Sequence, residues 1–134
     1  MYKKIILSMA LDQGFGPRAI DQAKRLLDKG GEIIAVHVYE PPQGSVKTYL
    51  PEDAVANALK SVKKSMAERL KDTPEIKPVL LEGHSGLTIT NYAKQIGADC
   101  IIVGSHKPGL ADYFLGSTAA RVVRHAPCSV LVLR

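Results

Sequence analysis

The chain has 134 residues, of which 46% are hydrophobic, and it carries a formal net charge of +5. This length suits one compact domain, which we expect to cover residues 1–134. No apolar run is long enough to span a membrane and the N-terminal run is too short for a signal peptide, so we expect a cytoplasmic protein without membrane insertion. The cations are spread along the chain without interleaved aromatic residues, which argues against nucleic-acid binding.

Strand-like and helix-like runs alternate along the whole chain. In chain order the pattern predicts strand 4–9, helix 17–29, strand 32–38, a surface loop over 40–50, helix 51–71, strand 77–81, helix 88–97, strand Cys100–Gly104, helix Ser117–His125 and strand Ser129–Leu133. Most of these strands are nearly continuous in Ile, Val, Leu and Ala, which is typical of parallel strands buried on both faces. The sequence therefore predicts an α/β fold, a five-stranded parallel sheet sandwiched by helices.

The connection after the fourth strand carries the main chemical signal. Val103 and Gly104 end an apolar run, and Gly116, Ser117 and Thr118 open the following helix. Glycine permits close approach of a ligand to the backbone, and the unpaired N–H groups at a helix start attract anions. Ligands of open α/β sheets bind beyond the carboxyl ends of the strands. The sequence therefore predicts an anion or nucleotide site at this edge, with Ser117 either contacting a phosphate or capping the helix.

The histidines and cysteines do not suggest a catalytic or metal centre. His37 ends a buried strand and is expected to be structural, and His125 suits the C-terminus of its helix. His84 and Ser85 are adjacent on a loop, where neighbouring side chains rarely face each other, so we do not expect a nucleophilic pair. Both cysteines adjoin apolar runs without metal-ligand spacing and are expected to be buried core thiols.

Three segments resemble the universal stress protein family. They are the start Tyr-Lys-Lys-Ile-Ile-Leu, the segment Val-His-Val-Tyr-Glu-Pro-Pro at 36–42, and the block at 116–133. The chain is most similar to the nucleotide-binding subgroup whose loop reads Ser-His-x-Pro and is followed by Leu-Gly-Ser. The resemblance covers the whole chain. It implies a Rossmann-like fold of the adenine nucleotide alpha hydrolase type, with strand order 3-2-1-4-5.

Nucleotide-binding members of that family carry a Gly-x2-Gly-x9-Gly-Ser/Thr pattern. Gly104 matches its first glycine and Gly116-Ser117 its last pair, whereas Lys107 stands at the second glycine and the next interval is one residue short. Either Gly109 restores the tight loop or Lys107 approaches a phosphate as a point charge. Ala10 replaces an aspartate that faces the adenine in the family. The resemblance implies these nucleotide-binding residues: Ala10, Val38, Val103, Gly104, Ser105, His106, Lys107, Gly109, Gly116, Ser117 and Thr118.

The resemblance implies a stress-response protein that binds ATP and acts by binding or signalling. Mg²⁺ is a candidate companion ion, and ADP and AMP are alternative nucleotides. We expect no catalytic residues and no enzymatic function, slow ATP hydrolysis aside. A homodimer through the last strand is expected, since that strand is apolar and lies at a sheet edge, together with a regulatory protein partner that the sequence does not identify. The alternative is a dimeric interaction module that does not bind nucleotide, which Ala10, Lys107 and Pro108 favour.

Overall fold

A computed structural model describes residues 1–10, 17–105 and 115–134. Within these ranges the chain forms five strands and five helices. In order they are β1 (Tyr2–Ser8), α1 (Pro17–Leu26), β2 (Leu27–Tyr39), α2 (Ser45–Tyr49), α3 (Ala54–Arg69), β3 (Lys77–Glu82), α4 (Ser85–Ile96), β4 (Cys100–Gly104), α5 (Ser117–His125) and β5 (Ser129–Leu133).

The strands form one sheet in the order β3-β2-β1-β4-β5, and every neighbouring pair is parallel. This confirms the predicted fold class and strand order. The strand order reverses between β1 and β4: β2 and β3 lie on one side of β1, and β4 and β5 lie on the other. Such a reversal opens a crevice at the carboxyl ends of the strands, because the connections from the two halves of the sheet leave in opposite directions.

The core consists of two layers, one on each face of the sheet. Ile5 and Leu7 of β1 face a cluster that includes residues of α1 and α3, while Ile6 between them faces a cluster that includes residues of α4 and α5. All three side chains are fully buried. Burying such a side chain contributes about 1.5–3 kcal/mol. The central strand therefore holds both helical layers, as its continuous apolar sequence predicts.

Some predicted boundaries were wrong at the helices. The first helix ends at Leu26 rather than at residue 29, because the chain then continues directly into β2, whose Leu27 pairs with Tyr2 of β1. Gly30, a residue type that commonly terminates helices, instead adopts φ 83° within β2, near a shift in pairing register. Gly97 terminates α4 in the left-handed conformation with φ 69°.

Four further expectations need correction. The predicted loop over 40–50 contains the short helix α2, and the following helix begins at Ala54 instead of residue 51. The next helix, α4, begins at Ser85 rather than at residue 88. Cys100 is a buried free thiol as expected, but Cys128 is only partly buried. Burial raises the pKa of Cys100 to about 11.

Candidate functional site

A cavity of about 490 Å³ lies at the carboxyl ends of the central strands. The end of β1 and the residues after it, the end of β2, the end of β4, and the first turns of α4 and α5 form its walls. Its lining comprises Ser8, Met9, Ala10, His37, Val38, Tyr39, Glu40, Ser85, Ile89, Val103, Gly104, Ser105, Gly116, Ser117, Thr118 and Ala119. The cavity thus occupies the crevice that the strand order predicts.

The N-terminus of α5 opens onto this cavity. Gly116 is its N-cap residue, and no side chain provides a capping hydrogen bond in the described part of the chain. The Gly116 carbonyl accepts the N–H of Ala120 at 2.8 Å, so the N–H groups of the first three helical residues precede the first intrahelical bond. Ser117 is therefore the first helical residue and not the cap that we considered. This end of the helix presents partial positive charge to whatever fills the cavity.

Backbone hydrogen bonds fix the approach to this helix. The N–H of Ser105 donates to the carbonyl of Leu133 at 2.8 Å, and the N–H of Gly116 donates to the carbonyl of Ser105 at 2.5 Å. Ser105 is almost fully buried. The end of β4 and the start of α5 are thereby held beside each other and beside the end of β5, which places Gly104 and Gly116 on one wall.

Neither glycine has an unusual backbone conformation. A Cβ atom added at Gly104 would meet no heavy atom of the described residues within 4 Å, so within these ranges the missing side chain leaves open volume at the cavity wall. Gly116 has φ −59° and ψ 156°, a conformation open to any residue. A side chain at Gly116 would therefore not strain the backbone, and only the space that it would occupy can matter to a ligand.

The opposite wall combines an anchored histidine with apolar side chains and backbone polar groups. His37 Nδ1 lies 2.7 Å from the carbonyl oxygen of Met9. Because a carbonyl only accepts, Nδ1 carries the proton, and His37 has the structural partner that we expected. This bond joins the end of β2 to the chain that leaves β1.

The backbone N–H and C=O groups of successive β2 residues point alternately towards β1 and towards β3, which decides which of them face the cavity. The Val36 carbonyl accepts from Met9 on the β1 side, whereas the Tyr39 carbonyl accepts from Gly83 on the β3 side. By this alternation the N–H and C=O of Val38 point to the β1 side, beyond the last paired residue of β1, Ser8. They are a donor and an acceptor next to each other at the cavity.

Glu40 and Ser85 form a cavity feature that the sequence reasoning missed. One carboxylate oxygen of Glu40 accepts the N–H of Ser85 at 2.9 Å and its hydroxyl at 2.7 Å. These hydrogen bonds hold the pKa of Glu40 below its usual value, with the nearby His84 adding to the effect against a small opposing effect of burial. Ser85 is the first residue of α4, so the carboxylate also lies at a helix N-terminus. A glutamate directly after a buried strand was the available signal.

All predicted binding residues that fall within the described ranges line the one cavity, namely Ala10, Val38, Val103, Gly104, Ser105, Gly116, Ser117 and Thr118. Their contacts with a ligand stay a prediction. His106, Lys107 and Gly109 lie outside the described residues. The hydroxyl of Ser85 donates to Glu40 and not to His84, in keeping with the expected lack of a nucleophilic pair. His125 lies in the last turn of α5, as expected.

Within the described ranges the chain shows neither a metal cluster nor a membrane-spanning helix. No group of three or more His, Cys, Asp and Glu side chains could hold a metal ion there. Across residues 1–10, 17–105 and 115–134, no helix combines the length and the apolar character that crossing a membrane requires.

Together, these features define a class: a parallel α/β sandwich with an anion-attracting cavity at its topological switch point. Comparison with known proteins then gives the family. The model of the universal stress protein family matches residues 1–134, and the chain belongs to this family.

Individual relatives agree with this assignment. The chain is 29% identical over 143 residues to universal stress protein G of Shigella flexneri and 31% identical over 138 residues to a universal stress protein of Thermus aquaticus, in both cases over 100% of each chain. Among solved structures it resembles the universal stress protein UspA from Lactobacillus plantarum, with a TM-score of 0.76 at 23% identity over 99% of this chain and 98% of the other.

Two other structures of the same fold carry nucleotides. One is a universal stress protein in complex with cAMP, with a TM-score of 0.63 at 19% identity over 99% of this chain and 97% of the other. The second is a universal stress protein from Archaeoglobus fulgidus in complex with dAMP, with a TM-score of 0.60 at 18% identity over 99% of this chain and 98% of the other.

Proposed function

We propose that this universal stress protein binds an adenine nucleotide, with ATP as the expected ligand and ADP or AMP as alternatives, and that it acts in the cytoplasm by binding or signalling. The observation that carries the proposal is the N-terminus of α5, which opens onto the cavity without a side-chain cap in the described residues. Helix N-termini of this kind bind phosphate groups. The cAMP and dAMP complexes of proteins with this fold support the choice of an adenine nucleotide.

The cavity has two chemically distinct sides for such a ligand. The phosphates belong at Gly116, Ser117 and Thr118, where N–H groups and the helix dipole face the cavity. They do not belong beside Glu40, because its carboxylate would repel them. The nucleoside therefore lies on the β2 side of the cavity.

The β2 wall suits adenine in particular. Val38 offers one backbone donor and one backbone acceptor beyond the end of β1. The Watson–Crick edge of adenine carries one acceptor, N1, beside one donor, the N6 amino group, and matches this pair. Guanine presents a donor at N1 and an acceptor at O6. Binding through Val38 should thus favour ATP over GTP.

The residues present do not form a magnesium site of their own, since the described chain has no cluster of three potential ligands. Mg²⁺ accompanying ATP would take its ligands mainly from phosphates and water. Turnover is not proposed as the function. The Ser85 hydroxyl, which adjoins His84, donates a hydrogen bond to Glu40. The groups that line the cavity are suited to binding a ligand.

Isothermal titration calorimetry tests the proposal directly. We expect heat of binding with ATP at concentrations below about 1 mM, and weaker binding of GTP. Gly116→Val should abolish ATP binding by filling the space at the start of α5, while its thermal stability stays close to that of the wild type because φ −59° suits valine. The absence of heat with wild-type protein at millimolar ATP would reject nucleotide binding.

That rejection would favour the second candidate function, a dimeric interaction module without nucleotide. The observation behind it is the edge strand β5, whose side chains from Val130 to Leu133 are all apolar and only partly buried. A two-fold axis would pair β5 with β5 of a second copy and satisfy the backbone hydrogen-bonding groups at both sheet edges. A homodimer through β5 is compatible with either candidate function, and a regulatory protein partner is part of both.

A further inference from the structure

A second cavity, of about 300 Å³, lies between α4 and α5, the two helices that cover the same face of the sheet. We call it the α4–α5 groove. It is lined by Leu87, Thr90, Asn91, Lys94, Arg121, His125 and Pro127. None of these residues lines the nucleotide cavity. The groove is therefore a separate surface, and its function does not depend on the proposed nucleotide binding.

The groove is cationic, and no carboxylate is among the described residues that line it. Neither α4 nor α5 contains an acidic residue, and the salt bridges within the described ranges do not involve Lys94, Arg121 or the neighbouring Arg124. Among the described residues from 83 to 134, Asp99 is the one carboxylic side chain. It accepts the backbone N–H groups of Lys3 and Lys4. Burial and, after it, the charge of Asp99 raise the pKa of Cys128, which directly follows the groove residue Pro127, so Asp99 lies towards that end of the groove.

The other face of the sheet differs in this respect. There Lys24 of α1 pairs with Glu75 at 2.9 Å, Arg25 pairs with Asp21 at 2.9 Å, and Lys71 after α3 pairs with Glu68 at 2.8 Å. These three cations have carboxylate partners in the same chain, whereas Lys60 and Lys63 of α3 take part in no salt bridge among the described residues. Lys94 and Arg121 also take part in none within these ranges, and they line one groove together, so their positive charge is available to a partner.

The aliphatic part of Arg121 packs against α4. A Cβ atom added at Gly86, in the first turn of α4, would come within 2.8–2.9 Å of the Cβ, Cγ and Cδ atoms of Arg121. These three atoms therefore lie directly on the α4 backbone, while the residue as a whole is exposed. A side chain whose stem is already packed loses less conformational entropy when its guanidinium pairs with a carboxylate.

The groove also offers apolar contact. Half of the Leu87 surface is exposed at its edge, and Pro127 lies at its other end. Thr90 is buried and donates its hydroxyl to the Leu87 carbonyl at 3.0 Å, so it belongs to the floor. No aromatic side chain is among the described residues that line the groove, and single-stranded nucleic acids depend on aromatic residues for base stacking.

We propose that the α4–α5 groove binds an acidic segment of a partner protein that also carries leucine side chains. Carboxylates of the segment pair with Lys94 and Arg121, and its leucine side chains pack against Leu87 at one end of the groove and against Pro127 at the other.

The test uses a fluorescein-labelled peptide of about twelve residues composed of Glu and Leu in a ratio of about three to one. Fluorescence anisotropy at low ionic strength should give saturable binding to the full-length protein. The double variant Lys94→Gln/Arg121→Gln should bind about tenfold more weakly, as expected for the loss of two exposed ion pairs. Glutamine at 121 keeps an aliphatic stem on Gly86. The control Lys60→Gln/Lys63→Gln removes the same charge from exposed residues of α3 and should bind like the wild type.

Three results would overturn the proposal: no binding by the wild type, equal loss in the groove and α3 variants, or displacement of the peptide by ATP. A single-stranded oligonucleotide that binds as tightly as the peptide would do so as well, since the surface would then be a general anion site. An NMR titration of the wild type gives a second measurement that needs no variant. Its largest amide shifts should fall in α4 and α5.

Discussion

Replacing Gly104 by alanine should separate ligand binding from stability. Gly104 ends β4 and lines the nucleotide cavity, and a Cβ atom there would meet no atom of residues 1–10, 17–105 and 115–134 within 4 Å. Its φ is not positive, since among the described glycines only four others adopt that region. Alanine therefore fits the folded protein without a clash and without backbone strain. The added methyl group projects into space that the nucleotide would otherwise occupy.

The expected magnitudes have opposite signs for the two properties. A compatible Gly→Ala substitution stabilises a protein by about 0.4–1 kcal/mol, because the unfolded chain loses conformational freedom. For a chain of this size that raises Tm by about 1–4 °C. ATP binding should weaken by about tenfold, or ~1.4 kcal/mol, because the phosphates can no longer approach the β4 backbone closely.

Calorimetric titration with ATP and thermal unfolding measure the two effects on the same samples. Gly97→Ala is the matched control, since an added Cβ at Gly97 also meets nothing within 4 Å but the residue has φ 69°. This control should lose about 1–2 kcal/mol of stability and keep the wild-type ATP affinity. If Gly104→Ala binds ATP like the wild type, or unfolds at a lower temperature, the reasoning about open space at β4 is refuted.

Three other predictions concern Glu40, β5 and Cys100. Glu40→Gln should reduce the free energy of unfolding at pH 7 by about 0.5–1 kcal/mol. Because the pKa of Glu40 is lowered in the folded protein, the difference between wild type and variant is present above the pKa of the unfolded chain and is lost as the pH falls through the folded pKa. Urea unfolding at a series of decreasing pH values measures this loss. Val132→Pro should shift the protein towards monomer in light scattering while it stays folded, since the Leu133 carbonyl faces β4 and the Val132 N–H therefore faces the free edge; a wild-type monomer at micromolar concentration would contradict this. Native Cys100 should resist iodoacetamide at pH 8, because with a pKa of about 11 only about one thiol in a thousand is ionised, and rapid labelling detected by mass spectrometry would count against its burial.

Apolar patterning was sufficient to predict the sheet. The strands are short continuous apolar runs, and such runs have few solutions other than burial between two helical layers. The strand order followed from family resemblance and is confirmed. Boundaries were less predictable where tertiary contacts override local signals. Gly30 has the features of a helix stop, yet the chain enters β2 before it, because pairing of Leu27 with Tyr2 extends the sheet.

The candidate site also has one part that the sequence predicts and another part that it does not. Residues contiguous in sequence, such as Gly116, Ser117 and Thr118, could be assigned from the strand-loop-helix order, because that order by itself puts a helix N-terminus at the carboxyl edge of the sheet. The bond between Glu40 and Ser85 joins residues 45 apart in sequence. It exists because β2 and β3 are neighbours in the sheet.

The α4–α5 groove likewise depends on tertiary structure. Lys94 and Arg121 are ordinary solvent-exposed cations in the sequence, and their helices are separated by β4 and the loop that follows it. Packing of both helices on the same face of the sheet brings the two cations together, while the carboxylates that balance other lysines and arginines lie on the opposite face. The sequence by itself determines which segments are buried and which backbone turn attracts an anion. Only the tertiary structure decides which distant side chains share a surface, because that depends on strand order and helix packing rather than on local pattern.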